Sequence, residues 1–168
     1  MPSHQETRIL PYTVEQIFLL VADVESYPKF LPWCVGSRIL KRAENSFLAE
    51  LVISFKQFRE SYTSNVKLTP PLPSRNAAID VELVNGPFEH LVNRWKFLPE
   101  EGGKCRVEFF IEFRFKSRIL DMLISGFFSR ATEKMVQSFE SRAHALYGQK
   151  SADFRLTESP ESGNPMPS

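Results

Sequence analysis

In FRESYTSNVKL, the residues Glu60, Tyr62 and Ser64 alternate with Arg59, Ser61 and Thr63. On an extended chain they therefore share one side with Phe58, Val66 and Leu68. A carboxylate beside a phenol on an apolar face could serve as a general acid/base pair, or the three polar groups could offer hydrogen bonds to a molecule held against the sheet. The same parity in HLVNRWKF puts Asn93 among Leu91, Trp95 and Phe97. A buried polar group without a partner costs about 1–3 kcal/mol. These side chains must therefore meet each other, water or a ligand. Glu60 and Tyr62 form the single pair suited to acid/base work, and as neighbours on one strand they are a thin catalytic constellation.

The remaining reactive residue types point away from catalysis. Glu108 and Glu112 alternate with Phe109 and Ile111 and share the polar face of their strand with Arg106 and Arg114, the pattern that cross-strand charge pairing produces. His4, His90 and His144 have no H-x-x-x-H spacing, and Cys34 and Cys105 have no C-x-x-C spacing. The chain has no glycine-rich phosphate loop. The expectation is a protein without catalytic residues, without a metal site and without a covalent cofactor.

Positioning the inward groups requires a sheet and something to cover it. FLAELVISF sets Phe47, Ala49, Leu51, Ile53 and Phe55 on one face, and CRVEFFIEFRF does the same for Val107, Phe109, Ile111, Phe113 and Phe115. A short strand over residues 4–10 and the segments FRESYTSNVKL, NAAIDVELV and FEHLVNRWKFL add further strands, divided by turn signals at TPPLPS, NGP and PEEGGK. Thr13, followed by Gln16, opens a short amphipathic helix through a capping box, and Pro28 is expected to bar its continuation. From Ser117 to about Tyr147 apolar residues recur at helical spacing, Phe127, Phe128, Met135 and Phe139 among them, with Gly126 as a possible kink. The fold expected is α+β: a curved antiparallel sheet of about six or seven strands wrapped around a long C-terminal helix, with short helical structure after the first strand. One helix cannot cover so wide a sheet, so apolar space is expected at the edges.

Composition fits that plan. The 168 residues suit one domain, and 15 phenylalanines are many for this length. A formal charge of +1 gives no field to attract DNA. No run approaches the ~18 apolar residues needed to span a bilayer. The opening MPSHQETRIL has neither an apolar signal core nor an Arg- and Ser-rich transit pattern, which suggests a bacterial, cytoplasmic setting. After Gly148 the chain turns polar and proline-bearing, so the domain is placed at 1–148 and residues 149–168 are expected to form a disordered tail.

YPKFLPWC carries Tyr27, Phe30, Leu31, Trp33 and Cys34 around two prolines. So much apolar surface on a loop has two readings. It lines an entrance or touches lipid, with Lys29 meeting phosphate, or it plugs one end of the core.

Together YPKFLPWC, NGPFEHLVNRWKF and VEFFIEFRFKSRILDML resemble the coenzyme Q-binding protein family of the START-like, polyketide cyclase superfamily, over about residues 3–148. The resemblance implies the helix-grip fold and a hydrophobic cavity holding a polyprenyl quinone, ubiquinone, in support of respiration and without transforming it. On that basis the ligand-binding set is Phe30, Leu31, Trp33, Phe55, Phe58, Glu60, Tyr62, Ser64, Phe88, Asn93, Trp95, Phe109, Phe113, Phe127, Phe128, Met135 and Phe139, with Lys29 at the membrane or entrance. The implied setting is bacterial, in the cytoplasm and peripheral to the inner membrane, with transient contact to its surface. Close bacterial relatives of the family are described as ribosome-association toxins, so a ribosomal subunit is the alternative partner. Lys29, Arg38, Lys41 and Arg42 are the basic residues available for it. A cyclase-type enzyme is the third reading. Burying one isoprene unit gains roughly 4 kcal/mol at ~0.8 kcal/mol per carbon, so a long tail should be only partly enclosed.

Overall fold

The computed structural model describes residues 3–156. β1 (Ser3–Leu10) leads into α1 (Val14–Ala22) and a 3-10 helix (Val24–Lys29). Then follow β2 (Cys34–Arg42), β3 (Ser46–Phe55), β4 (Phe58–Thr69), β5 (Ala77–Asn85), β6 (Phe88–Glu100) and β7 (Lys104–Phe115). Two helices follow among the described residues, α2 (Arg118–Ser125) and α3 (Phe128–Leu156). The strands form one antiparallel sheet in the order β1-β7-β6-β5-β4-β3-β2. It is the curved, helix-grip sheet expected from the alternation.

Local chemistry accounts for the elements. The Thr13 hydroxyl accepts from the Gln16 amide at 3.1 Å and the Gln16 side chain accepts from the Thr13 amide at 3.0 Å, which satisfies two donors at the start of α1. α1 buries Val14, Ile17, Phe18, Leu20 and Val21 against β5, β6 and β7. In β7 the residues Val107, Phe109 and Phe115 are buried, as alternation requires.

Several expectations need correction. Pro28 does not end the helical stretch after α1; it sits within the 3-10 helix, whose φ range the proline ring already matches. β2 is a seventh strand that the pattern CVGSRILKR hides, because register shifts at Cys34/Gly36 and Ile39/Lys41 break its period of two. The long C-terminal helix is two helices: Gly126 caps α2, and α3 starts two residues later. α3 also runs on to Leu156, past the expected end near Tyr147 and into the segment assigned to a disordered tail. The rest of that segment, 157–168, lies outside the described residues.

Candidate ligand-binding cavity

Between the inner sheet face and α2–α3 lies a cavity of about 240 Å³. Its wall is β3 through Ala49, Leu51, Ile53 and Phe55, β7 through Phe109, Ile111, Phe113 and Phe115, and the inward residues of β4, β5 and β6 between them. Ile124 of α2, Phe127 at the helix junction, and Phe128, Ala131, Thr132, Met135 and Phe139 of α3 form the opposite side. Leu31, Pro32 and Trp33 close one end.

Most of the sequence-predicted set borders this space: Leu31, Trp33, Phe55, Tyr62, Ser64, Phe88, Asn93, Trp95, Phe109, Phe113, Phe127, Phe128, Met135 and Phe139. Four do not. Phe30 turns the other way, edge-on to Tyr27 at 5.9 Å and to Phe139 at 5.3 Å, with the Arg142 guanidinium over its ring. Phe58 and Glu60 have the inward parity and pair with Phe55 and Ile53, which border the cavity, but do not border it themselves; Phe58 packs against the cluster of Phe88, Leu91, Phe115 and Leu120. Lys29 is exposed at the end of the 3-10 helix and borders no part of the cavity. The loop thus divides: Phe30 packs on α3 away from the cavity, Tyr27 packs on α3 and also borders the cavity, and Leu31 and Trp33 face the cavity. With Glu60 outside, the acid/base pair read from β4 is not assembled in the cavity.

The inward polar groups fall into two classes. Asn93 is occupied by the protein itself: its amide nitrogen donates to the Phe110 carbonyl at 2.9 Å and its carbonyl accepts from the Trp95 indole at 3.1 Å. Thr132, which the sequence reading missed although it lies one turn from Phe128, donates back to the Phe128 and Ser129 carbonyls, both at 3.0 Å. Tyr62 and Ser64 differ. Both line the cavity, Ser64 with only 1% exposure, and neither hydroxyl has a protein partner among the described residues.

Their placement is enforced. Gly86, in the β5–β6 turn with φ 149°, lies so close to β4 that a Cβ there would come within 2.5 Å of the Tyr62 Cβ. The Tyr62 ring meets Phe88 edge-on at 5.2 Å. Burial raises the Tyr62 phenol well above its ordinary value, with a smaller push from Cys34, so it stays protonated and able to donate. Tyr27 is raised for the same main reason, and its hydroxyl donates to the Val21 carbonyl. Burial also pushes the Cys34 thiol up, outweighing a lowering influence of the Gly36 backbone. A thiol kept protonated is a poor nucleophile.

One end of the cavity is closed by rings from three segments. Trp33 meets Phe55 at 6.0 Å and Phe55 meets Phe127 at 5.8 Å, with the Lys56 ammonium over both phenylalanines at 5.6 and 5.0 Å. Trp33 (φ 67°) and Lys56 (φ 55°) are the non-glycine residues in the left-handed region among those described. That conformation is costly for side chains of this size.

A family model described as polyketide cyclase/dehydrase and lipid transport matches residues 10–140. The chain belongs to this START-like family. It is 43% identical over 143 residues to the ribosome association toxin RatA of Rickettsia prowazekii, covering 85% of this chain and 97% of that protein. It is 33% identical over 150 residues to the mitochondrial coenzyme Q-binding protein COQ10 homolog B of Xenopus laevis, covering 88% of this chain and 60% of that one. Among solved structures, the 18 kDa protein CC1736 of Caulobacter crescentus is 42% identical, with a TM-score of 0.68 over 88% of this chain and 99% of that one. Family membership and fold are thus those anticipated from the three motifs. Among the described residues no helix is long and apolar enough to cross a membrane.

Proposed function

We propose that this protein binds a polyprenyl quinone without transforming it, holding the ring and the first part of the tail in the cavity. The observation that carries this reading is an apolar cavity with two unpartnered hydroxyls, Tyr62 and Ser64, on adjacent inward positions of β4. A quinone ring is flat and apolar, with carbonyl oxygens that accept hydrogen bonds and donate none. Two hydroxyl donors in a phenylalanine-lined space complement it. The volume of about 240 Å³ lies just under the roughly 300–1,000 Å³ usual for small-molecule sites. It suits a ring and a short stretch of tail, and the distal tail stays outside. The naming of a 33% identical relative as a coenzyme Q-binding protein supports the ligand class. Organic extraction of the purified protein followed by mass spectrometry tests it. Near-stoichiometric quinone is expected, and its absence together with failure to bind added quinone would end the reading.

A second reading, inhibition of translation through a ribosomal subunit, draws support from the RatA name of the 43% identical relative. The basic face counted for it is partly neutralised: Arg38 pairs with Glu50 at 2.6 Å and Arg42 lies 4.0 Å from Glu25. Lys29 and Lys41 remain exposed. Salt-sensitive cosedimentation with a ribosomal subunit, abolished by reversing Lys29 and Lys41, would favour it.

A further inference from the structure

We propose that the outer face of α2, with the flanking cations and the β3–β4 turn, is a docking surface for an anionic phospholipid bilayer. It rests on the cavity being a lipid site only for why the surface adjoins the mouth. α2 is apolar on two sides. Leu120 is buried against the sheet and Ile124 borders the cavity, whereas Ile119 and Met122, one turn apart, are 70% and 76% exposed, the highest values among the described large apolar residues. An eight-residue helix gains nothing from such side chains in water.

The seam beside it is an exposed part of the cavity wall. Phe127 borders the cavity and is 36% exposed as well, so one ring separates the interior from solvent. The two strained residues, Trp33 and Lys56, flank that same ring through Phe55 and the ammonium contact.

Charge selects the partner. Lys56, Lys116, Arg118 and Arg130 are exposed here and form no ion pair among the described residues. The acidic groups on α2 and the first turns of α3 are Asp121, whose carboxylate turns inward to accept from the Phe115 amide at 3.0 Å, and exposed Glu133; farther along α3 Glu140 pairs with Arg8, and Glu60 follows the β3–β4 turn. Lys116 and Arg118 also stand at the start of α2, where the helix dipole disfavours a cation, so an outside anion relieves both. Exposed apolar side chains ringed by unpaired cations match an acidic bilayer: the former enter the acyl boundary and the latter meet phosphate. The cation beside the entrance rings is Lys56, not Lys29.

The test is cosedimentation with quinone-free vesicles of phosphatidylcholine, with and without phosphatidylglycerol. The wild-type chain is expected to sediment with the acidic vesicles and to be released by salt. Ile119→Asp with Met122→Asp should weaken binding at least about tenfold, and Lys116→Glu with Arg118→Glu should cost roughly fivefold per reversed charge, on acidic vesicles only. Leu19→Asp, which changes an exposed leucine on α1, should bind as the wild type does, and unchanged thermal unfolding of all variants keeps the comparison fair. Three outcomes would each overturn the proposal: vesicle binding by the Ile119/Met122 variant equal to wild type, an equal defect in the Leu19 variant, or an Ile119/Met122 defect in self-association or ribosome binding instead of vesicle binding. Because the vesicles hold no quinone, the outcome is separate from the extraction experiment: a quinone-free protein that docks through α2 refutes the ligand, and a quinone-loaded protein that ignores vesicles refutes the surface.

Discussion

Under α1 the sheet carries a packed core, with Phe97, Cys105 and Ala77 at 0% exposure, whereas under α2 and α3 the same sheet face borders about 240 Å³ of space. Both ends are built by one rule, alternating apolar residues on antiparallel strands. The difference lies in what covers them. α1 lies across β5, β6 and β7 and inserts Ile17, Phe18 and Val21 among their side chains, and Phe18 meets Phe97 edge-on at 6.0 Å. At the other end α2 is short and α3 begins only at Phe128, so ring packing closes the edges and leaves the middle empty. The packed end sets stability, and the open end is free to hold something.

The contrast between the two ends is most visible under truncation. Phe97→Ala should lower unfolding free energy by about 3–5 kcal/mol in denaturant titrations, because its cavity cannot collapse. Phe127→Ala, on a ring already partly in solvent, should cost about 1 kcal/mol or less while changing ligand retention. If the two losses are equal, the ends are not distinct.

Enlarging alanines probes it from the other side. Ala77→Leu should cost about 2–3 kcal/mol by overpacking, whereas Ala131→Leu, which projects into empty space, should cost under about 1 kcal/mol and expel bound lipid. Calorimetry with lipid extraction reads both.

The polar residues give a smaller contrast. Asn93→Ala removes the acceptor of the Trp95 indole and a donor to the Phe110 carbonyl, and should cost about 1–2 kcal/mol of stability. Tyr62→Phe and Ser64→Ala should leave the melting temperature in place and weaken quinone binding about fivefold each, measured by titration calorimetry.

A further contrast concerns pH. Burial pushes the Cys105 thiol from 9.0 up to about 12 and raises Tyr27 and Tyr62 above 10.0. From pH 9 upward the unfolded chain releases protons that the folded chain retains. Stability should therefore be flat below about pH 8.5 and fall between 9.0 and about 12, with Cys105→Ala flattening the lower part of the fall. Denaturation midpoints against pH check the sign.

Inward parity was legible wherever pairing is regular. The face of β3, the face of β7 and the polar positions Tyr62, Ser64 and Asn93 follow from a period of two. The reading failed where parity says nothing about reach. Phe58 and Glu60 share Tyr62's side of β4, but there only their β3 neighbours Phe55 and Ile53 border the cavity. It failed again at β2, where two register shifts scramble the alternation, and at Gly126, where a glycine inside a continuous apolar stripe could mean a kink, a tolerated gap or a cap. Parity also could not divide the four polar candidates, since Asn93 meets its partners across β6 and β7.

The sequence by itself determined the inward face of each regularly alternating strand and the helical stripe that covers them, because alternation and helical period act between near neighbours along the chain. Only the tertiary structure decided that the interior is full under α1 and open under α2 and α3, that Tyr62 and Ser64 have no partner among the described residues while Asn93 has, and that Lys56 rather than Lys29 stands beside the Phe55 and Phe127 rings. Those outcomes depend on distances between segments far apart in the chain, which no local pattern encodes.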